Sequence, residues 1–122
     1  MPKKILLAED DFFLAKILKT KLEKEGHEVT SAVNGAECID FLSKNNKYDL
    51  LLLDLIMPVK DGFQVLSYIH SEPKLKTLPI VVASNLSQTE DIDQAIKLGA
   101  KDYYVKSEIS INDIIQKINK FL

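Results

Sequence analysis

Residues 50–62 read Leu50-Leu51-Leu52-Leu53-Asp54-Leu55-Ile56-Met57-Pro58-Val59-Lys60-Asp61-Gly62. Four consecutive leucines suit a short strand covered on both faces, because buried parallel strands read as unbroken apolar runs. A carboxylate at the C-terminal tip of such a strand is expensive to desolvate without a partner. A second acidic cluster, Glu9-Asp10-Asp11, closes another apolar run, Ile5 to Ala8. Two strand tips ending in acid predict one shared site, suited first to a hard cation and then to a phosphate.

Outward from these runs, short apolar stretches alternate with segments of helical period. The strands are expected at Lys4–Ala8, Glu28–Ala32, Leu50–Leu53, Ile80–Ser84 and Asp102–Val105. The second is the more polar and suits a sheet edge. The first helix carries Leu14, Ile17, Leu18 and Leu22 at 3–4 spacing and stops at Gly26. Asn34 with Glu37 three residues on is an N-cap signature for the second helix, which presents Ala36, Ile39 and Leu42. The third helix shows Phe63, Leu66 and Ile69. Ser87-x-x-Glu90 reads as a capping box opening the fourth, which carries Ile92, Ala95 and Ile96 and ends at Gly99. The last starts near Ser110 with Ile111, Ile114, Ile115 and Ile118. Five β–α units joined by right-handed crossovers predict an α/β, doubly wound parallel sheet with helices on both faces. Ligands of such sheets sit beyond the carboxyl ends of the strands, which is where the unusual polar residues fall.

The bulk properties narrow the function. The 122 residues suit a single domain, 1–122, with one core. A net charge of −2 gives no electrostatic case for nucleic acid or an anionic membrane as partner. All 16 basic residues are Lys, so bound phosphate has no guanidinium fork and must meet Lys, backbone N–H, hydroxyl or metal. The single cysteine, Cys38, excludes an internal disulfide and reads as a packing residue. No signal-peptide pattern and no stretch near the roughly 20 apolar residues of a membrane span is present, so a cytoplasmic protein is expected.

Neighbouring strands lie about 4.8 Å apart. If the first and third are adjacent, Asp10 and Asp54 reach one ion between them. Several carboxylates in one crevice repel, and Mg²⁺, an oxygen-seeking cation that keeps waters and bridges to phosphate, relieves this. Lys106 directly follows the fifth strand and can lie across the mouth from Asp54, to pair with it and later with phosphoryl oxygen. Ser84, at the tip of the fourth strand, offers a hydroxyl. Read singly, each has a plainer meaning: Glu9–Asp11 as favourable charge at a helix N-terminus, Lys106 as a solvated surface charge, Ser84 as a turn residue.

Taken together, Glu9-Asp10, the Asp54…Met57-Pro58…Asp61-Gly62 string, Ser84, Gly99-Ala100 and Lys106 resemble the CheY-like receiver domain of two-component response regulators, in the right order and across essentially the whole chain. The resemblance implies a flavodoxin-like, five-stranded parallel sheet in the order 2-1-3-4-5 with five helices. It implies that Asp54 is the phosphoacceptor, attacking phosphohistidine on a sensor histidine kinase or phosphotransfer protein. It implies that Glu9, Asp10, Asp54 and the backbone carbonyl of Ile56 hold Mg²⁺, that Ser84 and Lys106 contact the phosphoryl oxygens, and that Ser84 and Tyr103 form the switch. The protein would then be a phosphorylation-activated switch rather than an enzyme. Its output face, the fourth helix, fifth strand and fifth helix, would control an unknown protein target, with the molecule a monomer or weak homodimer.

The chain departs from the family pattern twice. Ser107 stands where proline with a cis bond is usual, and a cis bond before a non-proline residue costs about 2.5–4 kcal/mol. Either the chain bears that strain or the loop after Lys106 differs. Asn85 stands where a small residue is usual, and its amide is a candidate modulator of phosphoryl loss. His27 and His70 fall near element ends away from the acids, Asp61 and Gly62 shape the loop before the third helix, and Asp11 is read mainly as a helix cap.

Three rival readings fit the chain less well. A haloacid dehalogenase-type phosphatase wants an acid two residues after the nucleophile, where this chain has Ile56. A flavin-binding flavodoxin-like protein wants a Ser/Thr/Gly-rich loop after the first strand, where the acids would repel the flavin phosphate. A phosphorylation-independent pseudo-receiver would keep the fold as an interaction module. The sequence ends after the fifth helix, which leaves open a single-domain regulator or a piece of a longer one.

Overall fold

The computed structural model describes residues 2–45 and 47–122. The strands are β1 (Lys4–Ala8), β2 (Glu28–Ala32), β3 (Leu50–Leu53), β4 (Ile80–Ser84) and β5 (Asp102–Val105). The helices are α1 (Phe12–Lys24), α2 (Gly35–Lys44), α3 (Gly62–Ser71), α4 (Thr89–Lys97) and α5 (Ile111–Asn119). The strands form one parallel sheet in the order β2-β1-β3-β4-β5. The flavodoxin-like architecture expected above is the one found, and the polar strand β2 is an edge.

Side chains alternate across the sheet, as the two-residue period of a strand requires. Leu6, Ala8, Leu51, Leu53, Ile80 and Val82 pack with residues of α2, α3 and α4. Ile5, Leu7, Leu50, Leu52, Val81 and Ala83 pack with α1 and α5. Both faces of the central strands are therefore dry, which is why their sequences are unbroken aliphatic runs. Cys38 is fully buried in the first cluster, and burial pushes its thiol up to about 12. Such a thiol is inert packing.

Helix starts follow local chemistry. The Asp11 carboxylate accepts from the amides of Phe13 and Leu14 and caps α1. Asn34 caps α2 by accepting from Glu37 N–H, and the Glu37 carboxylate accepts from Val33 N–H, one residue before the cap. Asp61 and Gln64 make a full capping box on α3, and Ser110 caps α5. Gly26 and Gly99 follow α1 and α4 at φ +91° and +112°, in the left-handed region that glycine enters freely.

Two expectations fail. The Ser87-x-x-Glu90 box does not form: α4 begins at Thr89 behind Gln88, with no side-chain cap. The preceding residue, Leu86, is tied to the sheet at both its polar groups. Its N–H donates to Ser84 Oγ and its carbonyl accepts from Tyr103 OH, and the helix starts beyond that tether. Ile17 and Ile96, which helical spacing sets among the apolar positions of α1 and α4, are 42% and 45% exposed. Among the described residues, no helix is long and apolar enough to cross a membrane.

Candidate functional site

The register places the acids. Ala8 pairs with Leu53 across β1 and β3, so the next residues, Glu9 and Asp54, leave the sheet side by side. The ladder runs one step further: Asp54 N–H donates to the Ala8 carbonyl at 3.0 Å and Glu9 N–H to the Ala32 carbonyl at 3.1 Å. Both carboxylates are then buried, Glu9 at 4% and Asp54 at 5% exposure, while Asp10 is exposed. Glu9, Asp10 and Asp54 each offer an oxygen, and these lie within 4.8 Å of one another.

Lys106, at the end of β5, closes the group from across the crevice. Its ammonium donates to Asp54 Oδ2 at 3.0 Å and to Glu9 Oε1. The Lys106–Ser107 peptide is trans, and Lys106–Glu108 forms a single 3-10 turn. The loop after β5 thus takes its own course and still delivers the ammonium to both acids. Asp54 Oδ1 accepts from Ile56 N–H at 3.2 Å, and Glu9 Oε2 accepts from Asp11 N–H at 3.1 Å.

The electrostatics follow from burial and crowding. Burial pushes the Glu9 carboxyl up to about 7, against the opposing pull of its bond to Lys106, and the nearby Asp54 charge adds to the rise. Burial pulls the Lys106 ammonium down, but its bonds to Glu9 and Asp54 outweigh this and hold its pKa above the ordinary lysine value. The crevice therefore gathers three carboxyl groups against one ammonium, which offsets their charge only in part. Its donor set is all carboxylate, with no thiol or imidazole, and it fits a hard divalent cation.

Ser84 is fully buried, and its Oγ accepts from Leu86 N–H at 3.4 Å. The Tyr103 ring is half-buried, and its hydroxyl donates to the Leu86 carbonyl at 2.6 Å. Asn85, between them, is exposed. Ile56 is 50% exposed in the loop after Asp54. The structure brings together Glu9, Asp10, Asp54 and Lys106, with Ser84 and Tyr103 converging on Leu86. His27 and His70 lie at the opposite ends of their elements and take no part. The Leu86 tether is made through its backbone N–H and carbonyl, which carry no residue-type signal. The Asp61–Gln64 box is readable as Asp-x-x-Gln.

The family model for the response regulator receiver domain matches residues 5–119. The polar-differentiation response regulator DivK of Brucella anthropi is 26% identical over 122 residues, covering 100% of this chain and 98% of the relative. Several other curated relatives are longer, and the chain spans only 15% to 56% of their length. A crystal structure of the Mn²⁺-bound form of response regulator Rcp1 superposes with a TM-score of 0.86 at 30% identity, covering 98% of this chain and 94% of that one. The phosphorylated cyanobacterial phytochrome response regulator RcpA gives a TM-score of 0.85 at 32% identity, covering 98% and 91%.

Proposed function

The chain belongs to the response regulator receiver family, and on that premise we propose that it is a phosphorylation-activated signalling switch of the cytoplasm. Asp54 accepts a phosphoryl group from a sensor histidine kinase or phosphotransfer protein, with Mg²⁺ as the ion. The observation that carries this reading is the pairing of buried Asp54 with Lys106 beside Glu9 and Asp10, since four charged groups from three strand ends have no packing reason to meet.

An Asp54 carboxylate oxygen attacks phosphorus, the bond from phosphorus to the histidine nitrogen breaks, and the imidazole leaves with its electron pair. Lys106 faces the same carboxylate and is placed to follow the phosphoryl oxygens by charge-assisted hydrogen bonds. Glu9, Asp10, Asp54 and the Ile56 carbonyl would hold Mg²⁺, which would neutralise charge on the transferring group when bound. The chemistry is confined to the chain's own aspartate, so the protein is a switch and not an enzyme acting on other substrates.

Phosphorylation replaces one negative charge with about −1.5 to −2 and adds strong acceptors. Ser84 Oγ is drawn toward them and gives up its contact with Leu86 N–H. Tyr103 holds the other side of Leu86, so the change passes to the start of α4 and to β5. Differential contacts of about 2–3 kcal/mol shift a two-state ratio roughly 30–150-fold. The output face of α4, β5 and α5 then engages a protein target, and Asn85 at the rim sets the phosphoryl lifetime.

Beryllofluoride with Mg²⁺ tests this reading by amide NMR. Shifts are expected at Ser84, Leu86, Tyr103 and Lys106 in the parent and not in Asp54→Asn. A parent spectrum that beryllofluoride leaves unchanged would sink it.

A further inference from the structure

The loop between β3 and α3 carries Ile56 and is under backbone strain. Val59, a β-branched residue, sits at φ +69°, in the left-handed region that such residues rarely enter. Lys60 N–H donates to the Pro58 carbonyl at 2.8 Å and closes a tight γ-turn around it. Val59 is 76% exposed, so its own packing does not hold this shape. Something else must.

The turn is held from outside the loop. Gly35 N–H, at the first position of α2, donates to the Lys60 carbonyl at 3.0 Å. The approach is closer than any side chain permits. A Cβ on Gly35 would lie 2.6 Å from the Lys60 carbonyl carbon, 2.9 Å from Lys60 Cβ, and inside the carbonyl oxygen. Gly35 φ is not left-handed, so glycine is required here for space and not for conformation. The Asn34 cap, with Glu37 reaching back to Val33 N–H, fixes the helix start and aims this N–H. At the far end of the loop, Gly62 N–H donates to the Leu55 carbonyl at 3.0 Å. The loop is thus closed on itself from Leu55 to Gly62 and held from α2 at Lys60.

We propose that Gly35 is a positioning residue for the metal-binding loop: the contact of its amide with the Lys60 carbonyl holds the strained β3–α3 turn in the shape that completes the ion site beside Asp54. The inference rests on the metal-site reading above and adds to it a residue from a different helix. Groups that orient ligands without touching the ion typically change affinity about 10–100-fold when lost. Binding and clamping are reciprocal, so an ion that prefers the clamped loop also strengthens the clamp by the same factor.

The test is Mn²⁺ affinity, read from the loss of free-ion paramagnetic resonance signal. It is measured in the parent, Gly35→Ala and Leu42→Val, each with a thermal melt. Leu42→Val weakens the packing of α2 at its other end without touching Lys60. The expected result is a Kd raised about 10–100-fold in Gly35→Ala, with Leu42→Val at the parent value despite a lowered melting temperature. Equal Kd in the parent and a folded Gly35→Ala overturns the Gly35 inference alone. No binding by the parent overturns the metal reading and this inference with it. If Gly35→Ala does not fold, amide hydrogen exchange in the parent decides. Mg²⁺ is expected to slow the Gly35 amide more than that of Cys38 in the same helix, and equal slowing overturns the inference.

Discussion

Replacing Lys106 by methionine removes the ammonium and leaves Glu9 and Asp54 facing each other in a buried crevice. The two carboxylates lie within 4.8 Å. At an effective dielectric of about 20, two charges at that separation repel by about 3.5 kcal/mol. Burial first, and that repulsion after it, already contribute to the raised Glu9 value of about 7; losing the bond and the charge of Lys106, which both pull Glu9 down, makes it keep its proton to higher pH in the variant. The sign follows from proton linkage. A carboxyl whose folded pKa lies above its unfolded one contributes stability below the unfolded value and loses it as pH rises through the folded value. In the parent, the loss attributable to Glu9 ends near pH 7. In the variant it continues, at about 1.4 kcal/mol per pH unit. The lost charged hydrogen bond to Asp54 costs about 2 kcal/mol at any pH where Asp54 is ionised. Urea unfolding without divalent ions should therefore show Lys106→Met less stable by about 2 kcal/mol at pH 6 and by more at pH 8.5, up to about 4 kcal/mol. Equal losses at the two pH values would refute the reasoning, because they would mean that Lys106 does not neutralise Glu9.

Three further outcomes follow from the same geometry. In the parent, a divalent ion at 100 times its Kd should stabilise by about 2.7 kcal/mol, and its Kd should fall as pH rises from 5.5 to 8, since Glu9 must release its proton; calorimetric titration at the two pH values checks this. Tyr103→Phe loses the hydroxyl bond to the Leu86 carbonyl and should cost about 1 kcal/mol in urea unfolding, while weakening the beryllofluoride-induced amide shifts in α4. Gly62→Ala would put a Cβ 2.5 Å from the Asp54 carbonyl oxygen and should destabilise by about 1–3 kcal/mol, seen as a lowered thermal midpoint.

The sheet was legible because each strand is an apolar run that stops at a polar residue. Leu50–Leu53 before Asp54 and Ile5–Ala8 before Glu9 set both the strand ends and the site. The site was legible because a doubly wound sheet brings every strand end to one side, so residues distant in sequence fall together. Contacts made by backbone groups stayed hidden. Ser87-x-x-Glu90 has the letters of a capping box, but the Leu86 tether to Ser84 and Tyr103 moves the helix start past it. Ile17 has core spacing on α1 yet faces outward, because the stripe that the sheet covers is narrower than the apolar positions on the helix. Gly35 looks like an ordinary residue after a cap. Its need for glycine appears only when the Lys60 carbonyl is seen against it.

The most direct test is intact-mass analysis after incubation with acetyl phosphate. The parent with Mg²⁺ should gain one phosphoryl group, labile to hydroxylamine as an acyl phosphate is, and should gain none when the ion is chelated. Asp54→Asn should stay unmodified in both conditions. A parent left unmodified with Mg²⁺ present, or an adduct that persists in Asp54→Asn, would contradict the account.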